Sequence, residues 1–378
     1  MKEKQQRNAC AIKTSIGGQA LIEGIMMRGP KRTAMAVRNT KGEIVVEEYE
    51  NKTTKRPRIF RLPVIRGVFN FIDSMAQGYK CLMRSAELSG LEEFIEEDPK
   101  KKKRREESCV KTVVIRDGEE HPMDDVVAAE ELLPDPVPEE PEKKSEAKEE
   151  EKMSSTAWNF MLIGAVVVAV LFMLAFFFFV PSALFNLVSR YVPFLKGENP
   201  ALNSLYKSVF EGIFKIVLLV AYMGAISFMK DIRRTFMYHG AEHKTIFCYE
   251  AGLELTVENI RKQGRFHPRC GTSFLILMLL VSIFVSFFID PISIAISGHE
   301  LATVWRTLVR VLLFPVVMGL GYELIKFAGR HDNWLTRIIS LPGVWLQHIT
   351  VFEPTDDMIE CAIEAVTRVI PSDDSDRW

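Results

Sequence analysis

The run WNFMLIGAVVVAVLFMLAFFFFV, from Trp158 to Val180, holds 23 residues without a charge. As a helix rising 1.5 Å per residue it is roughly 35 Å long, enough to cross a hydrocarbon core of about 30 Å. Three more apolar segments, Tyr206 to Met229, Thr272 to Ile289 and Val304 to Ala328, predict further spans. Each carries charge: Glu211 and Lys215 in the first, Arg306, Arg310, Glu323 and Lys326 in or beside the last. Several of these lie a turn or more inside, which predicts that they face other helices or a wet cavity, since lipid solvates charge poorly. The third segment is the weakest span, because Phe274 to Ile289 is short and Asp290-Pro291 follows it. The pattern as a whole predicts a mainly α-helical polytopic membrane protein with about four transmembrane helices, a small N-terminal α+β module and a disordered charged linker.

Before the first span the periodicity changes. AMAVR (34–38) and EIVVEEY (43–49) flank Asn39 to Gly42 and read as a hairpin, and Gly17-Gly18 reads as a turn. From Pro63 to Leu88, Val64, Val68, Phe71, Ile72, Met75, Tyr79 and Leu82 recur at helical spacing. Residues 1–90 are therefore expected to form a module with a β-hairpin and an amphipathic helix. Its thin core predicts that it packs on the membrane domain or lies at the lipid surface. Residues 91–152 combine a basic run, Lys100 to Arg105, with PDPVPEEPEKKSEAKEEE, too charged to offset chain entropy by burial. They predict a disordered tether in which VKTVVIRDG (110–118) is the one strand candidate. Residues 153–330 form the four-span domain with a polar loop at 230–271. In 331–378, Leu335 to Phe352 is apolar but broken by Pro342-Gly343 and too short to span, so an interfacial or helix-packed position is expected, followed by a short helix near 357–369.

Charge sharpens the topology. The loop 230–271 holds Lys230, Arg233, Arg234, Lys244, Arg261, Lys262, Arg265 and Arg269, whereas 181–205 holds only Arg190 and Lys196, and 290–303 holds no Lys or Arg. The basic loop is expected in the cytoplasm, which places both termini there in a multi-pass cell-membrane protein. The chain's 48 Lys and Arg against 49 Asp and Glu leave no basic excess for phosphates, arguing against a nucleic-acid partner. An early apolar stretch interrupted by Glu23 argues against a cleaved signal peptide. Six cysteines without regular spacing argue against a disulfide framework, and Cys10, Cys81, Cys109, Cys248 and Cys361 read as reduced thiols.

The strongest chemistry is in that loop: His239-Gly-Ala-Glu242-His243, then His267-Pro-Arg-Cys270. If residues 235–250 continue the second span as a helix, His239 and His243 share a face one turn apart and can point at one ion. His267 and Cys270 add a nitrogen and a sulfur, a ligand set that suits zinc among divalent transition metals. His-x-x-Glu-His is also the inverted zincin pattern, in which the Glu is a general base. Four protein ligands would close the site and make it structural; three would leave a place for water. Elsewhere, Glu23 and Arg28 could pair, Glu323 has Lys326 as its simplest partner, and Arg61 and Arg66 are interfacial cations or head-group ligands. His331, Gln347 and His348 could approach the loop.

The motifs GGQALIEGIMMRGP, RLPVIRGVFNFIDSMAQGYKCLMRSAE, YHGAEHKTIFCYE with HPRCGTSF, and GYELIKFAGRHDNWLTRIISLPGVWLQHITVFEPTDDMIECAI together resemble the YqhQ family of bacterial membrane proteins. That family is a domain of unknown function, loosely described as metal-dependent enzymes. The resemblance implies that His239, Glu242, His243, His267 and Cys270 are its metal-site signature; it supplies no reaction. The leading expectation is a metal-dependent hydrolase acting on a membrane-associated substrate at the cytoplasmic face, with Glu242 as base, His239, His243 and His267 as ligands and Cys270 as a fourth ligand or close neighbour. The alternative is a non-enzymatic scaffold or assembly factor with a structural zinc, ahead of a transporter. The lipid bilayer is the expected partner, with a protein partner and homo-oligomerisation left open.

Overall fold

A computed structural model describes residues 12–51, 57, 60, 62–90, 109–116, 118–122, 155–195, 200–299, 301–331 and 333–377. Six antiparallel strands form one meander: β1 (Gly17–Leu21), β2 (Gly24–Arg28), β3 (Arg32–Arg38), β4 (Ile44–Glu50), β5 (Cys109–Arg116) and β6 (Glu119–Pro122), each paired with the next. The expected hairpin is β3–β4, with Val37 opposite Val45 and Ala36 opposite Val46. Two readings change. Gly17 and Gly18 lie in a strand, and the turn falls at Ile22–Glu23, with Glu23 in the left-handed region at φ 51°. Within the expected tether, residues 109–116 and 119–122 extend the sheet as β5 and β6, because Val113 and Val114 bury beside β4. The remainder of 91–152, including the basic run and the proline-rich stretch, lies outside the described residues.

The helices are α1 (Ile65–Leu88), α2 (Ser155–Tyr191), α3 (Pro200–Ser227), α4 (Lys230–Glu250), α5 (Val257–Arg261), α6 (Gly271–Ser297), α7 (Thr303–Arg330), α8 (Trp334–Thr350) and α9 (Asp356–Thr367). Segments Leu202–Ser227, Gly271–Ser297 and Thr303–Arg330 are long and apolar enough to cross a membrane. The weak third segment proves to be one 27-residue helix that carries Pro291 within it. The run Trp158 to Val180 lies within the single helix α2. Likewise, Pro342-Gly343 does not break α8, which Asn333 starts with a capping box. Helix α4 is separate from α3: Met229 is extended at ψ 130°, so the histidine helix begins anew at Lys230.

The chain divides into two compact units. The first combines Met1–Val126, Leu218–Ser282 and Leu313–Trp378. Its core sets Ile25, Met27, Ala34 and Val46 of the sheet against Tyr238, Ala241 and Cys248 of α4 and Met358, Ala362 and Val366 of α9. Gly240 of α4 lies so close to the Phe352 carbonyl that a Cβ there would collide with it. The second unit, Val127–Val217 with Ile283–Leu312, buries polar groups on α3, α6 and α7. Arg306 reaches Asp290 at 2.7 Å, Ser204 donates to Asp290 at 2.6 Å, and Arg310 donates to Glu211 at 2.8 Å. These charges meet other helices, as their positions inside the apolar segments predict.

Candidate metal centre

Helix α4 supplies the two imidazoles. His239 and His243 are four residues apart and share the buried face of α4, with ring centroids 4.4 Å apart. Their Nδ1 atoms point outward to main-chain carbonyls: His239 Nδ1 lies 3.1 Å from Thr350 O in α8, and His243 Nδ1 lies 2.6 Å from Arg265 O. A carbonyl can only accept, so each Nδ1 carries a proton and each Nε2 is turned to the interior, where that of His239 meets the Cys270 sulfur. This is how proteins orient metal-binding histidines. His243 Nε2 is buried and has no hydrogen-bond partner among the described residues. A buried lone pair with nothing to bind is unfavourable unless a ligand satisfies it.

Cys270 comes from the residue preceding α6 and points its sulfur at the same place. Sγ lies 3.0 Å from His239 Nε2, accepts the Thr272 N–H at 3.4 Å and contacts Thr272 Oγ1 at 3.1 Å. Burial by itself would raise the thiol, but His239 and His243 hold it well below its ordinary value. A helix N-terminus acts in the same direction. The same pairing works on His239: burial opposes its charge, yet the Cys270 sulfur raises the imidazole to about 9. One donor atom each from His239, His243 and Cys270 lie within 4.8 Å of one another. Bonds of about 2.0–2.1 Å to nitrogen and about 2.3 Å to sulfur set neighbouring donors roughly 3.5 Å apart around zinc. Modest side-chain adjustment therefore lets this buried trio share one ion.

Glu242 sits against the cluster and is buried. Burial raises its carboxyl, while His239 and His243 pull the other way. The N–H of Gly18 in β1 donates to Glu242 Oε1 at 3.0 Å. A Cβ on Gly18 would lie 2.9 Å from Glu242 Cγ and Cδ and 2.7 Å from Met26 O, so only glycine admits the carboxylate here. The glycine pair read as a turn is thus a close approach between strand and helix.

His267 is near but faces elsewhere. Its ring centroid is 5.7 Å from that of His243, while Nε2 lies 3.7 Å from Glu250 Oε2 and Nδ1 accepts the Arg269 N–H at 3.3 Å. Burial lowers its pKa, with Glu250 opposing. It is not one of the three clustered donors among the described residues. Glu250, absent from the sequence reading, is held low by His267 and Arg269 despite burial and also accepts the Thr14 N–H at 2.9 Å. Its signal was available: three helical turns beyond His239, it falls on the same stripe of α4.

Of the other expected neighbours, only Gln347 reaches the site. It accepts the His267 N–H at 2.8 Å and donates to His267 O at 2.7 Å. His331 bonds the Phe327 carbonyl, and His348 stacks on Phe266. Glu23 pairs with Arg234 rather than Arg28, whose Nη1 instead donates to Ser74 Oγ at 3.5 Å. Glu323 takes both arms of Arg66 at 2.7 and 2.5 Å rather than Lys326, because α1 lies against α7 where Gly67 meets Gly319. Cys81, Cys109, Cys248 and Cys361 are free thiols, while Cys10, Arg61 and the basic run lie outside the described residues.

Comparison with known proteins adds kinship without chemistry. The model of the family described as "Protein of unknown function (DUF1385)" matches residues 62–372, which include every residue of the cluster. The chain is 29% identical over 363 residues to "Uncharacterized protein YqhQ" of Bacillus subtilis (strain 168), covering 95% of this chain and 93% of that protein. No solved structure matches it.

Proposed function

For this chain, which belongs to the YqhQ/DUF1385 family, we propose a metal-dependent hydrolase of the cell membrane. Four spans, including Trp158 to Val180 in α2, would place both termini and the histidine helix on the cytoplasmic side, where the basic loop belongs. The metal would be a divalent transition ion, zinc by preference for two imidazoles and a thiolate. His239, His243 and Cys270 would hold it, with His267 as an oriented neighbour instead of a fourth ligand. When bound, such an ion supplies Lewis acidity beside the carboxylate.

The observation that carries the reading is a trio of ligands with a buried carboxylate alongside. Three protein donors leave a coordination position open, as catalytic zinc sites do. Glu242 has one oxygen held by the Gly18 N–H, which leaves the other to take a proton from an attacking water. Its burial raises its basicity toward neutral pH, as a general base requires. The substrate class would be a peptide or lipid-linked molecule delivered at the bilayer. The scaffold reading draws on a different fact, that all three donors are buried, as they are in structural sites.

Metal analysis of the purified full-length protein, with a growth assay of the corresponding strain, decides between them. His243→Ala should lose the metal under either reading. Glu242→Gln should keep the metal and behave as a null allele if the protein is a hydrolase. A Glu242→Gln strain indistinguishable from wild type would leave the scaffold.

A further inference from the structure

The two helices that brace the centre from outside the sheet both turn apolar faces outward. On α8 the inner face carries Thr350, whose carbonyl fixes His239, and Gln347, which clamps the backbone of His267 and donates to Ser273 Oγ at 3.1 Å. Its outer face is a stripe of Trp334, Ile338, Leu341 and Trp345, spaced by four, three and four residues and each more than half exposed. On α1 the inner face carries Gly78, which abuts Gln19 of β1, and Ser85, whose hydroxyl accepts the Ile22 N–H at 3.2 Å. Gln19 follows Gly18, the residue that fixes Glu242. The outer face of α1 presents Ile72, Met75 and Tyr79, each half or more exposed.

Both braces also sit at one end of the apolar helices of the first unit. Helix α8 begins within four residues of the end of α7. Its Gly343 packs directly on Ser273 in the first turn of α6. Helix α1 meets the C-terminal half of α7 through Gly67 on Gly319 and Tyr322, the Arg66–Glu323 fork, and Asn70 donating to Tyr322 Oη at 2.9 Å. The end of a membrane-spanning helix lies at the bilayer surface, so the surface itself is the occupant that covers both faces. Tryptophans at the two ends of the α8 stripe fit that depth, because the indole prefers the head-group boundary. Amphipathic helices with an apolar face of this kind lie in the interfacial plane.

We propose that α1 and α8 are embedded in the membrane–water interface and that bilayer contact along their outer faces holds the metal centre in its assembled geometry. The membrane is then a regulator of the site. This rests on the metal-centre reading for its functional consequence; the placement of the helices and the ordering of Cys270 do not. Removing lipid from the outer faces frees α8 to shift, and a shift of α8 moves the Thr350 carbonyl and Gln347 together. His239 then loses its orientation, and the Cys270 turn loses its clamp on His267.

The test uses the full chain in nanodiscs, with Trp158, Trp305 and Trp378 changed to Phe so that only Trp334 and Trp345 emit. Lipids brominated near the carbonyl should quench that emission strongly. In an Ile338→Ser/Leu341→Ser/Trp345→Ser variant, Cys270 in metal-free protein should react with a maleimide at least tenfold faster than in wild type. Its zinc affinity should fall at least tenfold. A milder Leu341→Ala variant, which keeps the fold, should show the same trends at smaller size. Absent quenching, or unchanged Cys270 reactivity in both variants, overturns the proposal. If wild-type protein binds no zinc, the metal reading fails by itself, and the quenching and thiol rates still decide the bracing.

Discussion

Two sets of buried polar side chains, one in each unit, meet the cost of burial in different ways. In the second unit charge is set against charge: Asp290 with Arg306 and Ser204, Glu211 with Arg310. In the first unit, His239 and His243 spend their Nδ1 protons on carbonyls and turn Nε2 inward, where that of His243 has no hydrogen-bond partner among the described residues. Ion pairs neutralise one another and are read as framework. A soft-donor trio that faces inward is read as a place for a ligand. Burial alone does not separate the two; the direction of the unused lone pairs does.

The comparison breaks most visibly in the second unit. Asp290→Asn should destabilise the protein by about 3–5 kcal/mol, because the buried ion pair with Arg306 is broken on one side. Chemical denaturation in lipid–detergent mixtures measures this, and metal content should stay at the wild-type value. His243→Ala should do the reverse, abolishing stoichiometric metal. It would also remove the metal-linked stabilisation, about 2.7 kcal/mol when free ion exceeds Kd a hundredfold, seen as a melting temperature that no longer responds to added zinc. Gly18→Ala sharpens the first unit: its Cβ must displace Glu242 or the Met26 carbonyl, a loss of about 1–3 kcal/mol by overpacking. Metal content would persist while any Glu242-dependent activity fell.

The pH response of the metal-free protein follows from the paired shifts. His239 is raised from 6.5 to about 9, so its contribution is complete below 6.5 and disappears as pH rises through about 9. Cys270 is lowered from 9.0, so its contribution is complete above 9.0 and disappears as pH falls through its depressed value. Between 6.5 and 9 the folded pair and the unfolded chain each hold one proton and the two slopes cancel. Below about 6.5 the unfolded chain holds the second proton first, so stability should fall by about 1.4 kcal/mol per pH unit. Denaturation midpoints at graded pH, compared with a Cys270→Ser variant that lacks the slope, test it. The smallest effect belongs to the surface: Lys262→Ala loses an exposed pair with Glu258 and should leave the melting temperature unchanged.

Periodicity carried the helices well, because apolar runs and amphipathic stripes are written locally. The β3–β4 hairpin and the α1 face follow from alternation and 3.6-residue spacing alone. The errors fall where distant segments decide. GGQALIEG reads as a turn until Glu242 arrives at Gly18, and Lys326 is the obvious partner of Glu323 until α1 brings Arg66. Pro342 reads as a break, although Asn333 starts α8 and the helix carries through to Thr350. In the site, His239, His243 and Cys270 were legible from ligand chemistry and spacing. The aversion of His267 was not, since it depends on Glu250 and on Arg269 within the folded turn.

The contact between Gly18 and Glu242 joins residues 224 positions apart, and Thr14 meets Asp376 across 362. Contacts of such separation are entropically late, and chains dominated by them fold slowly. During synthesis β1 must wait until α4 has been made, and α9 follows later still to close on the sheet. The centre therefore cannot be whole until the chain has passed Thr350, whose carbonyl holds His239. A chain stalled or cut before α8 would carry the histidines of α4 without the carbonyl that orients His239.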